Sequence, residues 1–197
     1  MKILKVNKNN LEMTVKILRS NGIVVYPTET AYGLGADPFN SEAVRKIYQI
    51  KARSFNKPLP LIADNLKTVE RFFVLNKKEK ELAKKFWPGP LTLILKTQLA
   101  RRKEFGRQKK IAVRVSSDKI ARNLAKNFGG LIISTSANVS GAGEYYSASA
   151  VAKQFKNKKF QPDIILDAGV LKKVKPSTIV KVKNVKIKII RQGEIWI

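Results

Sequence analysis

Residues 131–141 read LIISTSANVSG: an apolar strand, Leu131–Ser134, runs straight into Ser134–Gly141, where hydroxyls, an amide and a glycine surround a single valine. An apolar run bounded by small polar residues predicts a strand and its end. In α/β sheets, strand ends are where ligands are commonly placed. Hydroxyls, the Asn138 amide and exposed backbone N–H groups in such a loop can cradle phosphate oxygens.

Working outward, the pattern alternates. Asp118–Asn127 predicts a helix, and Ile111–Val115 and Leu91–Lys96 predict strands. Asn76 and Glu79 have capping-box spacing before a helix that ends near Trp87, and Leu59–Ala63 reads as a strand. Ser41 is placed to cap a helix in which Val44, Ile47 and Tyr48 share a face. Nearer the N-terminus, Ile23–Tyr26 is a strand. It follows a helix with Leu11, Val15 and Leu18 on one face, Asn9 and Glu12 at capping-box spacing, and Gly22 placed to stop it. Beyond the opening stretch, Ile164–Leu166, Thr178–Val182 and Val185–Ile190 complete a strand-rich tail. With no Pro- or Ser/Gly-rich linker, this interleaving predicts one α/β domain over residues 1–197, a twisted mixed sheet with flanking helices.

Composition narrows the chemistry. The 197 residues hold 40 Lys+Arg against 14 Asp+Glu, a net charge of +26, and neither His nor Cys. Disulfides, thiol nucleophiles, His-based triads and the usual zinc sites are therefore excluded. Such a charge suits a polyanion such as RNA, or an anionic substrate steered by the field; an even spread of codon-driven lysine is the plain alternative. The densest charge run, Arg101–Lys110 (RRKEFGRQKK), reads as a solvated hairpin loop between two strands. No apolar run approaches the roughly 20 residues of a membrane span, and Met1–Val6 lacks the features of a signal peptide, so a cytoplasmic protein is expected.

No Gly-rich loop ends in Gly-Lys-Ser/Thr, and Gly33-Leu34-Gly35 does not continue into the dinucleotide fingerprint. Two further segments join Ser134–Gly141 as candidates. In Tyr26–Gly35 (YPTETAYGLG), the hydroxyls of Thr28 and Thr30 and two glycines suit close approach of a small polar ligand. Lys51-Ala52-Arg53 puts two cations at a helix exit, where they can converge on a ligand or simply favour the helix C-terminus.

Together with WPGPLTLIL at Trp87–Leu95, AVR at Ala112–Arg114, PSTIV at Pro176–Val180 and RQG at Arg191–Gly193, these segments occur in an order that resembles the YrdC-like threonylcarbamoyl-adenylate synthases of the TsaC type. The likeness runs over nearly the whole chain and fits the short, single-domain branch. It implies a twisted α/β sheet with a concave, positively charged face. The implied reaction joins L-threonine, bicarbonate and ATP into threonylcarbamoyl-adenylate and pyrophosphate. A downstream transferase complex then modifies adenosine 37 of tRNA. By resemblance, Lys51, Arg53, Ser136 and Asn138 hold the ATP phosphates and the reacting centre, Arg191 contacts the nucleotide, and Thr30, Arg114 and Ser177 bind threonine. A divalent cation, magnesium, is expected with ATP, held mostly by phosphate and water because acidic residues are scarce.

Two departures stand out. Ile62 occupies a position where longer relatives carry a His that touches threonine, and GAGEYYSAS at Gly141–Ser149 replaces a Pro- and Thr-containing segment that supplies a nucleotide contact. Competing readings are a carbamoyl-adenylate-forming domain of the same fold and a double-stranded-RNA-binding or ribosome-assembly protein. The basic balance suits tRNA or double-stranded RNA as a direct partner.

Overall fold

The computed structural model describes residues 1–98 and 109–197. Its strands are β1 (Lys2–Lys5), β2 (Val24–Tyr26), β3 (Gly33–Ala36), β4 (Leu61–Ala63), β5 (Phe73–Val74), β6 (Leu91–Thr97), β7 (Lys110–Val115), β8 (Leu131–Ser136), β9 (Ile164–Asp167), β10 (Thr178–Lys183) and β11 (Lys186–Arg191). Between them lie α1 (Lys8–Arg19), α2 (Ser41–Lys51), α3 (Leu66–Phe72), α4 (Lys77–Phe86), α5 (Lys119–Phe128) and α6 (Ala148–Phe155). The sheet runs β1-β9-β2-β3-β8-β4-β7-β6-β10-β11, with β5 beside β6. Parallel pairs such as β4–β7 and antiparallel pairs such as β4–β8 coexist, so the sheet is mixed.

Side chains on a strand alternate between faces, and here the two faces have different fates. Val25, Leu34, Leu61, Ile133, Val113 and Val180 point into one large core, covered by α2, α3, α4 and α6. Val24, Tyr26, Ile62, Ile132, Ile164 and Leu166 point the other way, into a smaller core closed by α1 and α5 through Val15, Leu18, Ala121, Leu124 and Ala125. That second core draws nothing from β6, β7 or β10. Among the described residues, the part of this face formed by β7, β6 and β10 therefore has no helical cover.

Local signals explain most boundaries and correct several. The Asn76–Glu79 capping box forms in both directions, Asn76 Oδ1 accepting from Glu79 N at 2.9 Å and Glu79 Oε2 from Asn76 N at 2.8 Å. The other two expected caps are displaced. Asn7, not Asn9, caps α1 by accepting from Asn10 N at 2.8 Å, which places Asn9 and Glu12 inside the helix. Asn40 caps α2 by accepting from Glu42 N and Ala43 N, and Ser41 is the first helical residue. Asn21 takes the left-handed turn after α1, with φ 62°, and Gly22 N then closes on Ile17 O at 2.9 Å.

Gly33–Ala36, expected as the end of a loop, is strand β3, paired with β2 and β8. Its Gly35 pairs with Val24 and lies diagonally under Tyr26, and a Cβ there would lie 2.7 Å from the ring. The glycine thus makes room for a buried aromatic and not for a ligand. β1, which the sequence reading did not assign, pairs in parallel with β9. β6 and β7 pair antiparallel, as strands joined by a hairpin do; the expected hairpin loop itself, up to residue 108, lies outside the described residues.

Gly193, in the RQG segment, presses on the turn that starts β10. A Cβ there would sit 2.0 Å from Pro176 O and 2.6 Å from the Ser177 carbonyl carbon, both backbone atoms that cannot swing aside. Gly193→Ala is expected to lower stability by about 1–3 kcal/mol or more, the cost of overpacking a filled site. Equilibrium denaturation measures this directly, and an unchanged midpoint would contradict the packing described.

Candidate active site

The uncovered part of this face holds a cavity of about 300 Å³. Its floor follows from strand parity. Ile62 is paired with Ile132 on one side and Arg114 on the other, so all three share a face with Ser134 and Ser136 further along β8. Gly33 pairs with Ser136, and Thr92 with Ile179, which completes a floor of small and polar side chains where the second core ends. β8 therefore continues two residues beyond its expected end. Ser134 and Ser136 reach the cavity from a strand, not from a loop.

One wall carries Thr30 and Arg114. Arg114 Nη1 donates to Glu29 Oε1 at 2.8 Å and lies 3.5 Å from Thr30 Oγ1. Arg114 is buried, so on the Ile111–Val115 strand it points into the cavity and not to open solvent. Thr28 Oγ1 lies 3.1 Å from Thr30 Oγ1 and donates to Ala31 O, which fixes the turn. Ser177 and Arg191 form the opposite wall. Arg191 donates twice to Ser177 O, at 3.1 and 2.8 Å, and once to Ser177 Oγ at 3.0 Å; that hydroxyl is 2.8 Å from Thr92 Oγ1. Burial lowers the Arg191 pKa, and nearby Glu144 partly offsets this. Glu144, from the unusual Gly141–Ser149 segment, is a carboxylate that lines the same cavity as Arg53, Arg114 and Arg191 and acts electrostatically on Arg191.

A second cavity of about 240 Å³ shares Arg53 and Ser136 with the first and adds Lys51, Lys57, Asn138, Ser140 and Gly141. Lys51 and Asn138 line only this annex. Lys51 ends α2 and is almost wholly buried, and its three ammonium protons have three oxygen partners: Ser136 O at 2.6 Å, Asn138 O at 2.9 Å and Asn138 Oδ1 at 2.8 Å. Asn138 is equally engaged. Its Oδ1 also accepts from Ser136 Oγ at 2.7 Å, while Nδ2 donates to Ala142 O and Gly143 O. The amide expected to be free for phosphate is thus the hub of its own turn. Arg53 follows Ala52, whose left-handed backbone (φ 45°) turns the chain out of the helix, and it donates to Lys57 O and Pro58 O while facing both cavities.

The fold therefore gathers Thr30, Arg53, Arg114, Ser136, Ser177 and Arg191 around one cavity and sets Lys51 and Asn138 in the adjoining one. Ile62 lies in the floor, where an apolar side chain continues the second core. Glu29, Glu144, Thr92 and Ser116 were not singled out by sequence. Glu29 sits within the quoted YPTETAYGLG segment, but its partners are about 85 residues away, so the local pattern carried no signal.

Three arginines lining one cavity on an open, mixed sheet make this an α/β protein with a site whose charge suits an anion. The chain belongs to the Sua5/YciO/YrdC family: the profile of that family, described as "Telomere recombination", matches residues 16–193. A threonylcarbamoyl-AMP synthase of Psychromonas ingrahamii is 37% identical over 172 residues, 85% of this chain and 90% of the relative. One of Chromobacterium violaceum is 34% identical over 174 residues, 86% of each chain. Among solved structures, P. abyssi Sua5 complexed with L-threonine aligns with a TM-score of 0.86 and 30% identity, over 98% of this chain and 56% of that one. The chain thus spans little more than half the length of Sua5.

Burial, reinforced by Arg53, pushes the Lys51 ammonium down to about 7. Between that value and the ordinary lysine pKa near 10.4, the folded chain has released a proton that the unfolded chain still holds, so this group makes stability rise with pH. Lys51→Met is expected to flatten the pH dependence of the melting temperature between about pH 7 and 10. It is also expected to cost about 1–3 kcal/mol through the acceptors left unpaired. Melting curves across pH for both proteins check the two effects, and parallel pH profiles would refute the first.

Proposed function

We propose that this chain is a threonylcarbamoyl-adenylate synthase, which converts L-threonine, bicarbonate and ATP into L-threonylcarbamoyl-adenylate and pyrophosphate for the N6-threonylcarbamoyladenosine modification at position 37 of tRNA. One observation carries the reading. A cavity with carboxylate-binding chemistry at Arg114 and Thr30 opens through Arg53 and Ser136 into a cationic annex suited to phosphates. The names of the bacterial relatives and the threonine complex of the Sua5 relative support it.

The amine of threonine adds to bicarbonate and water is lost, which leaves a carbamate. A carbamate oxygen then attacks the α-phosphorus of ATP, and the bond to pyrophosphate breaks. The attacking group is already an anion, so the chemistry asks for charge stabilisation and alignment more than for a protein nucleophile. Arg114, with a planar fork matched to carboxylate geometry, holds threonine, and Thr30 and Ser177 supply hydroxyls. Arg53 stands between the cavities, where the transferring phosphate meets the departing pyrophosphate, and Arg191 faces the nucleotide. Lys51 acts by holding the Ser136–Asn138 turn in place. Magnesium, as part of the ATP substrate, would neutralise phosphate charge and be held mainly by phosphates and water, with Glu144 the carboxylate of the cavity lining that would be available to it; among the described residues no three acidic side chains gather into a metal site.

The single unit of residues 1–197 works in the cytoplasm and passes its product to a transferase complex. No helix among the described residues is long and apolar enough to cross a membrane. The net charge of +26 supports direct contact with tRNA through phosphates. Such binding is expected to weaken by orders of magnitude between roughly 50 and 200 mM salt, as counterion release dictates, and a salt titration by fluorescence anisotropy measures it. Affinity that stays flat would assign the charge to composition alone.

Pyrophosphate release is expected to require both threonine and bicarbonate. Equal release without threonine would favour carbamoyl-adenylate chemistry on the same fold. Arg53→Ala is expected to cut turnover by about 10²–10³-fold, the loss typical of removing one preorganised electrostatic donor. Arg53→Lys should restore only part of it, because an ammonium keeps the charge and loses the fork. Melting of both variants should stay close to that of the parent. A near-normal rate with a lowered melting temperature would reduce Arg53 to a structural role.

A further inference from the structure

Glu29 does not line either cavity, yet it is the residue on which one wall closes. Its carboxylate reaches two partners at once. Oε1 accepts from Arg114 Nη1 at 2.8 Å, and Oε2 accepts from the hydroxyl of Ser116. Both members of the Glu29–Arg114 pair are nearly buried, with side chains 13% and 10% exposed, whereas the other ion pairs among the described residues join side chains that are at least 39% exposed. The Ser116 hydroxyl has one proton, and the bond to Glu29 uses it. The same oxygen accepts from Asp118 N at 3.1 Å, and Arg122 Nη1 donates to Ser116 O at 2.5 Å, so Ser116 is fixed from both sides. Asp118 in turn caps α5 by accepting from Ile120 N and Ala121 N.

The topology gives this pair its importance. Glu29 and Thr30 ride on the loop between β2 and β3, whereas Arg114 and Ser116 belong to β7 and its end. In the sheet, β3, β8 and β4 lie between β2 and β7. No backbone ladder pairs the Thr30 loop with β7 directly. Side chains join them: Arg114 Nη1 reaches Thr30 Oγ1 at 3.5 Å and Glu29 Oε1 at 2.8 Å, and the Glu29 carboxylate makes the shorter, charged contact.

We propose that Glu29 is a positioning residue for substrate threonine: it aims the Arg114 guanidinium and ties the Thr30 loop to β7, so that both meet the amino-acid carboxylate and hydroxyl in register. The proposal rests on the reading of Arg114 as the partner of that carboxylate. Glu29 also offsets the cost of burying a cation before substrate arrives, since one partner of a buried pair left alone is an uncompensated charge. A shorter or neutral side chain at this position leaves Arg114 free to choose other rotamers, and binding then carries the entropy of ordering it.

The experiment measures steady-state pyrophosphate release, with threonine and ATP varied separately, for Glu29→Gln, Glu29→Asp, Arg114→Lys and the double variant Glu29→Gln/Arg114→Lys. Gln keeps the length and one acceptor, so Glu29→Gln should melt within a few degrees of the parent. Its KM for threonine is expected to rise about tenfold, the scale of one hydrogen bond to a charged group, with the KM for ATP and kcat at saturating threonine nearly unchanged. Asp keeps the charge but spans only one of the two partners, and should fall between Gln and the parent. The preference for L-threonine over L-threoninamide, which lacks the carboxylate, should shrink in parallel. Because Glu29 acts through Arg114, the double variant should be no worse than Arg114→Lys alone.

A raised threonine KM in Arg114→Lys with an unchanged one in Glu29→Gln overturns the positioning role and leaves Arg114 as the carboxylate partner. An unchanged threonine KM in Arg114→Lys overturns that assignment and this inference with it. Equal losses toward threonine and ATP in Glu29→Gln, with a fallen melting temperature, assign Glu29 to stability only.

Discussion

Everything specific to this molecule depends on an incomplete covering of one sheet face. Among the described residues, four helices close the first face, but only α1 and α5 close the second, and their core draws on β1, β9, β2, β8 and β4. A strand cannot bury one side chain without turning the next to the opposite face. β8 therefore moves along a single face from Ile132, packed under α5, to Ser134 and Ser136, which look into open space. The change from apolar to hydroxyl along one strand marks the edge of the core and the start of the cavity. No separate loop architecture is needed to make the site.

An open, polar floor attracts anions only if cations are held above it, and holding them in a partly dry place has a cost. The chain meets it differently for each residue. Arg114 is matched by a carboxylate, Arg191 by carbonyl and hydroxyl oxygens of Ser177, and Lys51 by three oxygens of one turn. Only Arg53, bonded to two carbonyls of its own exit loop, stands where both cavities see it. Each basic residue of the site thus has oxygen partners within the protein, and Arg53, Arg114 and Arg191 also line the main cavity, whereas Lys51 lines only the annex. A count of Lys and Arg does not reveal that placement.

How much of this was legible depends on the range of the forces involved. The capping box at Asn76 and Glu79, the period-2 strands and the α/β alternation are local, and they could be read directly. Caps failed where several Asn residues crowd one boundary, as at Asn7, Asn9 and Asn10, because each satisfies the same short pattern and only the backbone decides among them. β1 was missed because KILK is short and half lysine; its place comes from pairing with β9, over 160 residues away. The ordered motifs pointed to the residues around both cavities. They did not distinguish an amide turned inward, like Asn138, from one offered to solvent, and they said nothing of Glu29, whose meaning lies entirely in Arg114 and Ser116.

The shared wall between the two cavities has a consequence for how they communicate. Arg53 and Ser136 belong to both, so a ligand that draws the guanidinium toward one chamber changes the charge and shape offered to the other. Thermodynamic linkage makes such an effect mutual: the factor by which the first occupant alters the affinity of the second equals the factor by which the second alters the first. Two adjoining chambers that share Arg53 and Ser136 are in this sense a single two-ligand receptor, in which the order of filling is open but the sum of the binding energies is not.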